Sequence, residues 1–170
     1  MFKIAVMVSG GGSNLQSIID KSKSGELNCE IACVIGDRPC YGVERAAEHG
    51  IESCVIDRKI YKKELSIIDE EFVNKWKGRI INIHPSLLPK FGGPGMYGIK
   101  VHEAVLAAGE KESGCTVHYV DTGVDSGEII LQVKVPVLEG DTPEVLQKRV
   151  LVEEHKLLPN SIAKIISERQ

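Results

Sequence analysis

The feature that most constrains the fold is an alternation of short apolar runs with helical patterns in the first half of the chain. Runs rich in β-branched residues take turns with segments of helical spacing, at Lys3–Ser9, Ser13–Lys23, Glu30–Ile35, Val43–Glu48 and Ser53–Ile56. A helical crossover returns the chain to the same edge of a sheet, so the strands that it joins run parallel. The pattern therefore predicts an α/β fold with a mostly parallel twisted sheet and flanking helices.

The second half of the chain continues these patterns around a loop rich in glycine and proline. We predict helices and strands at Asp69–Trp76 (N-capped by Asp69), Arg79–His84, Val101–Ala108, Thr116–Val120 and Ile129–Val137. A last helix begins at Asp141-Thr142-Pro143-Glu144, and Pro159 predicts a kink or break in it. We expect one domain over residues 1–170, with an N-terminal half near 1–78 and a C-terminal half near 79–170.

The charge balance argues against a nucleic-acid partner, because the net charge is −3. The apolar run after Met1 is too short for a signal peptide or a membrane span. Five cysteines without a CxxC pair, and histidines scattered along the chain, predict reduced structural thiols and no metal site. We therefore expect a cytoplasmic protein that binds neither nucleic acid nor membrane.

A glycine-rich loop follows the first predicted strand and opens the first predicted helix, at Gly10, Gly11, Gly12, Ser13 and Asn14. Glycines let the backbone approach a ligand closely, and the N–H groups at a helix start favour an anion. The lysine of a Walker A loop is absent, and the dinucleotide fingerprint is incomplete. We predict that Gly11, Gly12, Ser13 and Asn14 bind a single phosphate group; a tight turn without a ligand is the alternative.

Two polar residues lie at the end of the strand predicted at Arg79–His84. Asn82 and His84 are two positions apart and so share one face of the strand, and Pro85 ends it. Ligands of open α/β sheets bind at the carboxyl ends of the strands. An amide and an imidazolium side by side are suited to an oxyanion, whereas the alternative is a polar pair satisfied by the backbone.

A carboxylate from a later loop can join this pair. The loop after the strand at Thr116–Val120 contains Asp121 and Asp125 among glycines, and a carboxylate beside His84 would stabilise its charged ring and exchange protons. We favour Asp125, because Asp121 directly ends the strand and has a simple capping role as its alternative.

Residues 82–89, Asn-Ile-His-Pro-Ser-Leu-Leu-Pro, and the segment 116–127 ending in Asp-Ser-Gly resemble the formyltetrahydrofolate-dependent transferases. The resemblance covers nearly the whole chain. It implies a Rossmann-like fold with an antiparallel C-terminal strand, and a catalytic trio that matches Asn82, His84 and Asp125. It also implies that 10-formyltetrahydrofolate donates the formyl group directly to an amine and that no metal takes part.

Within this family, residues 9–16 and 96–102 look like the branch whose amine substrate is glycinamide ribonucleotide, in the biosynthesis of purines. By that resemblance Gly12, Ser13 and Asn14 hold the substrate phosphate, and Glu154 contacts the ribonucleotide. Neither the tRNA-binding nor the regulatory extension of other branches is expected. The expected partners are small molecules, and the oligomeric state stays open between monomer and homodimer.

The chain is unexpectedly short between Ser53–Ile56 and Asp69. A dozen residues are too few for a crossover helix and the next strand. About twenty residues of relatives are absent between the regions that match Lys63 and Leu65, roughly the content of one crossover unit. We predict a disordered segment near 63–65 that is left out of the sequence, with neighbouring Cα atoms well beyond 3.8 Å apart. A genuine deletion is the alternative and would weaken folate binding.

The resemblance also implies where the folate binds. The segment after the interruption lines the pteridine pocket of the family, and the implied folate contacts are Leu65, Ser66, Ile67, Ile68, Asn82 and Asp125.

Two other functions remain as alternatives. In the first, water replaces the amine and the formyl donor is hydrolysed. In the second, the chain is a non-catalytic module that binds a phosphate ligand, and its binding would survive the loss of Asn82 and His84.

Overall fold

The computed structural model describes residues 1–56 and 69–169, which contain six strands and five helices. In chain order these are β1 (Phe2–Val8), α1 (Ser13–Lys23), β2 (Cys29–Gly36), α2 (Tyr41–Glu48), β3 (Ser53–Val55), α3 (Glu70–Lys75), β4 (Ile81–His84), α4 (Ile99–Ala107), β5 (Glu112–Tyr119), β6 (Ile129–Pro136) and α5 (Pro143–Glu168). The described residues divide into two compact units, one formed by 1–56 with 162–169 and the other by 69–161. The α/β class is therefore confirmed.

The first unit contains the predicted parallel sheet, with its strands in the order β1-β2-β3. The crossovers α1 and α2 form where the apolar spacing predicts them, and α1 has the predicted bounds. Leu15 and Ile19 of α1 pack with Val8, Val34 and Ala46 in a buried cluster. Each large side chain buried in this way contributes about 2 kcal/mol. This core fixes the end of β1 against the start of α1, where the glycine-rich loop lies.

The second unit contains a three-stranded antiparallel sheet in the order β4-β5-β6. Antiparallel pairing is thus more extensive than the single C-terminal strand that we predicted. β5 also begins four residues before the predicted start, at Glu112. Residues 113–118 of β5 are all buried, and this strand is the central one, paired with β4 on one side and β6 on the other. Such partners are distant in sequence and leave little local signal.

The helix ends of the second unit confirm one prediction and correct another. Asp69 caps α3, since its carboxylate accepts a hydrogen bond from the Phe72 N–H at 2.7 Å. The last helix does not break at Pro159, because α5 continues through it to Glu168. A proline inside a helix removes one backbone hydrogen bond. Leu157 and Leu158, directly before the proline, are buried, and burial of such side chains can offset that loss.

The helix α5 belongs to both compact units, since its residues from 162 onward cluster with the first. The predicted interruption near residues 63–65 lies outside the described residues. No helix in the described parts of the chain is long and apolar enough to span a membrane.

Candidate active site

The loop after β4 is held in a fixed turn beside β5. The bond between Leu88 and Pro89 is cis. The Thr116 hydroxyl donates to the Ser86 carbonyl at 2.7 Å and accepts from the Leu88 N–H at 3.1 Å. The Gln132 amide adds a second donor to the same hydroxyl at 2.7 Å. This buried network fixes the segment directly after the strand end that bears Asn82 and His84.

His84 is 4% exposed and lies between two acceptors. Its Nε2 donates to the Phe91 carbonyl at 2.8 Å, so this nitrogen carries a hydrogen in either charge state. Its Nδ1 lies 3.5 Å from the Asp125 carboxylate. Both ring nitrogens of His84 therefore face oxygen atoms of the protein. The contact with Asp125 is longer than a normal hydrogen bond, so a proton on Nδ1 can still be donated to a ligand.

Asp125 reaches the histidine from the loop between β5 and β6. Its backbone φ is +55°, a left-handed conformation that aspartate tolerates better than most residues. One carboxylate oxygen accepts from the Gly93 N–H at 3.0 Å, and the other lies 3.7 Å from Nε2 of His118. The carboxylate therefore faces both histidines of the cluster.

Asp121 has a different role in the same loop. Its carboxylate accepts from the Ser126 hydroxyl at 2.7 Å and the Gly123 N–H at 3.0 Å. The Ser126 hydroxyl is the main cause that lowers the pKa of Asp121, and the Gly123 N–H adds to it. This is the local capping that the sequence offered as an alternative, and it leaves Asp125 as the aspartate beside His84.

His118 completes the cluster, and our sequence analysis did not identify it. It faces Asn82 across the β4–β5 pair, and the Asn82 amide nitrogen lies 3.4 Å from its Nε2. Nδ1 of His118 donates to the Tyr119 carbonyl at 2.9 Å, which directs Nε2 towards Asn82 and Asp125. The amide of Asn82 carries a second hydrogen that this contact does not use. The two-residue spacing of Thr116 and His118 on one strand face was the available signal.

These groups open into a cleft of about 390 Å³. Its lining includes Asn82, His84, Asp125 and the glycine-rich segment 93–98. That volume lies within the range of small-ligand sites. The cleft therefore offers an amide N–H, an imidazole N–H and a carboxylate to one small molecule.

A second polar neighbour of His84 lies on α4. His102 is 1% exposed, and its Nδ1 is buried without a hydrogen-bond partner among the described residues. Burial lowers the pKa of His102, and the charge of His84 lowers it further. Both causes disfavour a charged His102 ring beside His84.

The glycine-rich loop of the first unit presents backbone groups instead of side chains. Gly12, with φ of +66°, is the N-cap of α1 and provides no capping side chain. The first turn of α1 contains no acidic residue, although aspartate and glutamate are favoured at that position. The space where side chains at Gly10 and Gly11 would stand is open. The helix start is thus accessible to an external anion.

Comparison with known proteins shows which family the chain belongs to. A model described as formyl transferase matches residues 2–66 and 63–162. The chain belongs to the formyl transferase family. The two matches meet at residues 63–66, where the sequence predicts an interruption.

Curated and solved formyl transferases resemble the chain over almost its whole length. It is 43% identical, over 97% of its residues, to the trifunctional purine biosynthetic protein adenosine-3 of Drosophila pseudoobscura pseudoobscura, of which the match covers 14%. It is 39% identical, over 98% of its residues, to the chloroplastic phosphoribosylglycinamide formyltransferase of Arabidopsis thaliana, of which 66% is covered. The crystal structure of glycinamide ribonucleotide transformylase 1 from Symbiobacterium toebii superposes with a TM-score of 0.88 at 38% identity, covering 99% of this chain and 89% of that one.

These alignments also bear on the length of the chain. The match to each of the two curated formyl transferases spans at least 192 positions, which exceeds the 170 residues of this chain. The relatives therefore have residues for which this chain has no counterpart. The chain spans about a seventh of the length of the Drosophila pseudoobscura pseudoobscura trifunctional protein.

The remaining predicted site residues lie in several places. Glu154 lies on α5 and is 9% exposed.

Burial raises the pKa of the Cys115 thiol to about 12, and the charges of Glu154 and Glu153 add to the effect. All five cysteines are free. Of the predicted folate contacts, Asn82 and Asp125 line the cleft, whereas Leu65, Ser66, Ile67 and Ile68 lie outside the described residues.

Proposed function

We propose that this formyl transferase moves the formyl group of 10-formyltetrahydrofolate to the amine of glycinamide ribonucleotide. The products are formylglycinamide ribonucleotide and tetrahydrofolate. The observation that carries the proposal is the cluster of Asn82, His84 and Asp125 in one cleft. Relatives named for this reaction, at 38% to 39% identity over nearly the whole chain, support the choice of substrates.

The cluster suits addition of an amine to a formyl carbon. As the amine nitrogen bonds to this carbon, the carbonyl oxygen becomes an oxyanion. The Asn82 amide and Nδ1–H of His84 donate to it, and one such donor contributes about 3 kcal/mol in the transition state. The bond between the carbon and N10 of the folate then breaks. The amine loses one proton and N10 gains one.

Asp125 has two tasks in this proposal. Its carboxylate lies 3.5 Å from Nδ1 of His84 and so orients the ring that donates to the oxyanion. It also takes the proton from the attacking amine and returns it towards N10 through water. The Gly93 N–H, at 3.0 Å, orients the carboxylate for both tasks.

The substrate phosphate is assigned to Gly11, Gly12, Ser13 and Asn14 at the start of α1, and Glu154 to the ribonucleotide. The uncapped helix start without an acidic first turn supports the phosphate assignment. For the folate, Asn82 and Asp125 are supported by the cleft, and Leu65, Ser66, Ile67 and Ile68 by the family resemblance alone. We also propose that the protein acts in the cytoplasm.

The test follows tetrahydrofolate formation from 10-formyltetrahydrofolate with and without glycinamide ribonucleotide. We expect tetrahydrofolate and formylated ribonucleotide in equal amounts, only when both substrates are present. Tetrahydrofolate formed without the ribonucleotide would instead indicate hydrolysis. Binding of the ribonucleotide without any turnover, unchanged in His84→Ala, would indicate a non-catalytic module.

A further inference from the structure

The carbonyl groups of the glycine-rich loop are each occupied by a donor from the same unit. The Gly42 N–H donates to the Gly10 carbonyl at 2.9 Å. Nε of Arg45 donates to the Gly11 carbonyl at 2.8 Å. The Gln16 N–H donates to the Gly12 carbonyl at 2.9 Å, as the first hydrogen bond of α1. Two of the three donors belong to α2.

These bonds determine where the loop N–H groups point. In a trans peptide the carbonyl of one residue and the N–H of the next lie in one plane and point in opposite directions. Because the carbonyls of Gly10 and Gly11 are turned towards α2, the N–H groups of Gly11 and Gly12 are turned away from it. Without these bonds the glycines could adopt many other backbone conformations.

Arg45 is itself held firmly enough to serve as a support. In addition to Gly11, its NH1 donates to the Gln16 side-chain oxygen at 2.9 Å. Its guanidinium lies 4.5 Å from the centre of the Tyr41 ring, a cation–π contact. Three contacts on three sides leave the guanidinium little rotational freedom, and its planar fork suits several simultaneous acceptors.

Gly42 lets α2 approach the loop this closely. A Cβ at Gly42 would lie 2.9 Å from Cβ of Val8 and 3.2 Å from the Gly10 carbonyl oxygen. A Cβ at Gly12 would lie 2.6 Å from Cα of Gly42. Neither glycine can carry a side chain without separating the loop from α2.

We propose that Arg45, supported by the close approach at Gly42, is a positioning residue that orients the N–H groups of the glycine-rich loop towards the substrate phosphate. This inference rests on the phosphate assignment made under the proposed function. Arg45 acts on the phosphate through the Gly11 carbonyl and not by direct contact. Its loss therefore weakens binding of the phosphorylated substrate and leaves the formyl transfer step intact.

The test compares the intact protein with Arg45→Met, which keeps the length of the side chain and removes its donors. We expect the KM for glycinamide ribonucleotide to rise about tenfold, as for loss of one charge-assisted hydrogen bond, while kcat stays within about twofold. For glycinamide riboside, which lacks the phosphate, kcat/KM should be equal in the two proteins. Arg38→Met is the matched control, since Arg38 pairs with the adjacent Asp37 and its change should leave both substrates unaffected.

Arg45→Lys separates orientation from charge. An ammonium group keeps the charge but lacks the fork that contacts Gly11 and Gln16 together, so we expect only partial recovery of the KM. Full recovery would overturn the positioning role, because charge alone would then suffice. Gly42→Ala tests the same positioning independently, because its side chain would separate α2 from the loop. We expect the same rise in KM for the ribonucleotide and none for the riboside.

A binding titration with ribose 5-phosphate distinguishes failure of this inference from failure of the proposed function. Saturable binding to the intact protein that is equally tight in Arg45→Met would overturn the role of Arg45 alone. Absence of binding to the intact protein would overturn the phosphate assignment and the inference together.

Discussion

The glycine-rich loop of the first unit and the cluster of Asn82, His84 and Asp125 in the second unit present different chemical groups to a ligand. The loop offers backbone N–H groups whose direction depends on hydrogen bonds to the carbonyls of Gly10, Gly11 and Gly12. The cluster offers side chains, and Asn82, His84 and Asp125 are each fixed by a polar neighbour. A backbone site has no proton to gain or lose, whereas a cluster of imidazole and carboxylate does.

This difference teaches that the two regions respond to different changes. Removing a side-chain functional group from the cluster should lower the rate of the chemical step. The loop should respond to changes in backbone shape, and the response should be seen in binding of the ribonucleotide. Three experiments test this separation.

The largest effect is expected for Asp125→Asn. Asparagine tolerates the left-handed backbone of this position, but it does not accept a proton. We expect kcat to fall about a thousandfold, with little change in the KM for the ribonucleotide. Steady-state kinetics measures both. Asp121→Asn is the matched control in the same loop, and an equal loss of kcat there would remove the special role of Asp125.

A smaller effect, on stability and binding, is expected for Gly12→Ala. The substitution places a Cβ at a φ of +66° and 2.6 Å from Gly42, which should destabilise the fold by about 2 to 3 kcal/mol and raise the KM for the ribonucleotide. Gly11→Ala, which points into open space, should retain the stability of the parent. Urea unfolding and kinetics measure the pair. An equal loss of stability in both variants would show that the left-handed backbone at Gly12 and its close contact with Gly42 are not what makes the loop sensitive to substitution.

The smallest effect concerns pH and should come from the second unit. Because the pKa of His102 is lowered in the folded protein, the unfolded chain binds more protons as the pH falls below about 6.5, and stability declines there. This slope is at most about 1.4 kcal/mol per pH unit for one group. His102→Gln should reduce the difference in urea-unfolding stability between pH 7 and pH 5. An unchanged difference would show that His102 titrates alike in both states.

Local pattern was enough to predict most of the helices and strands. The bounds of α1 agree at both ends, and Asp69 caps α3 as its residue type suggests. The start of β5 at Glu112 was missed, and of the kink or break predicted at Pro159 the break does not occur. The extent of β5 depends on pairing with β6, whose residues are distant in sequence and which local pattern does not reveal.

The candidate site divides in the same way. Spacing placed Asn82 and His84 on one strand face, and the glycine-flanked loop, together with the family resemblance, indicated Asp125, which the structure brings beside His84. His118 was missed because its position opposite Asn82 depends on the register between β4 and β5. Arg45 was missed because its contact with Gly11 spans 34 positions and depends on how α2 packs on the loop.

The division of α5 between the two units has a consequence for synthesis on the ribosome. The first unit draws on residues 162–169, which emerge after the whole of the second unit has been made. At ordinary translation rates, synthesis of the second unit takes roughly ten seconds. During that interval the first unit lacks the last turns of α5. The first unit can therefore complete its packing only after the whole of the second unit has been synthesised.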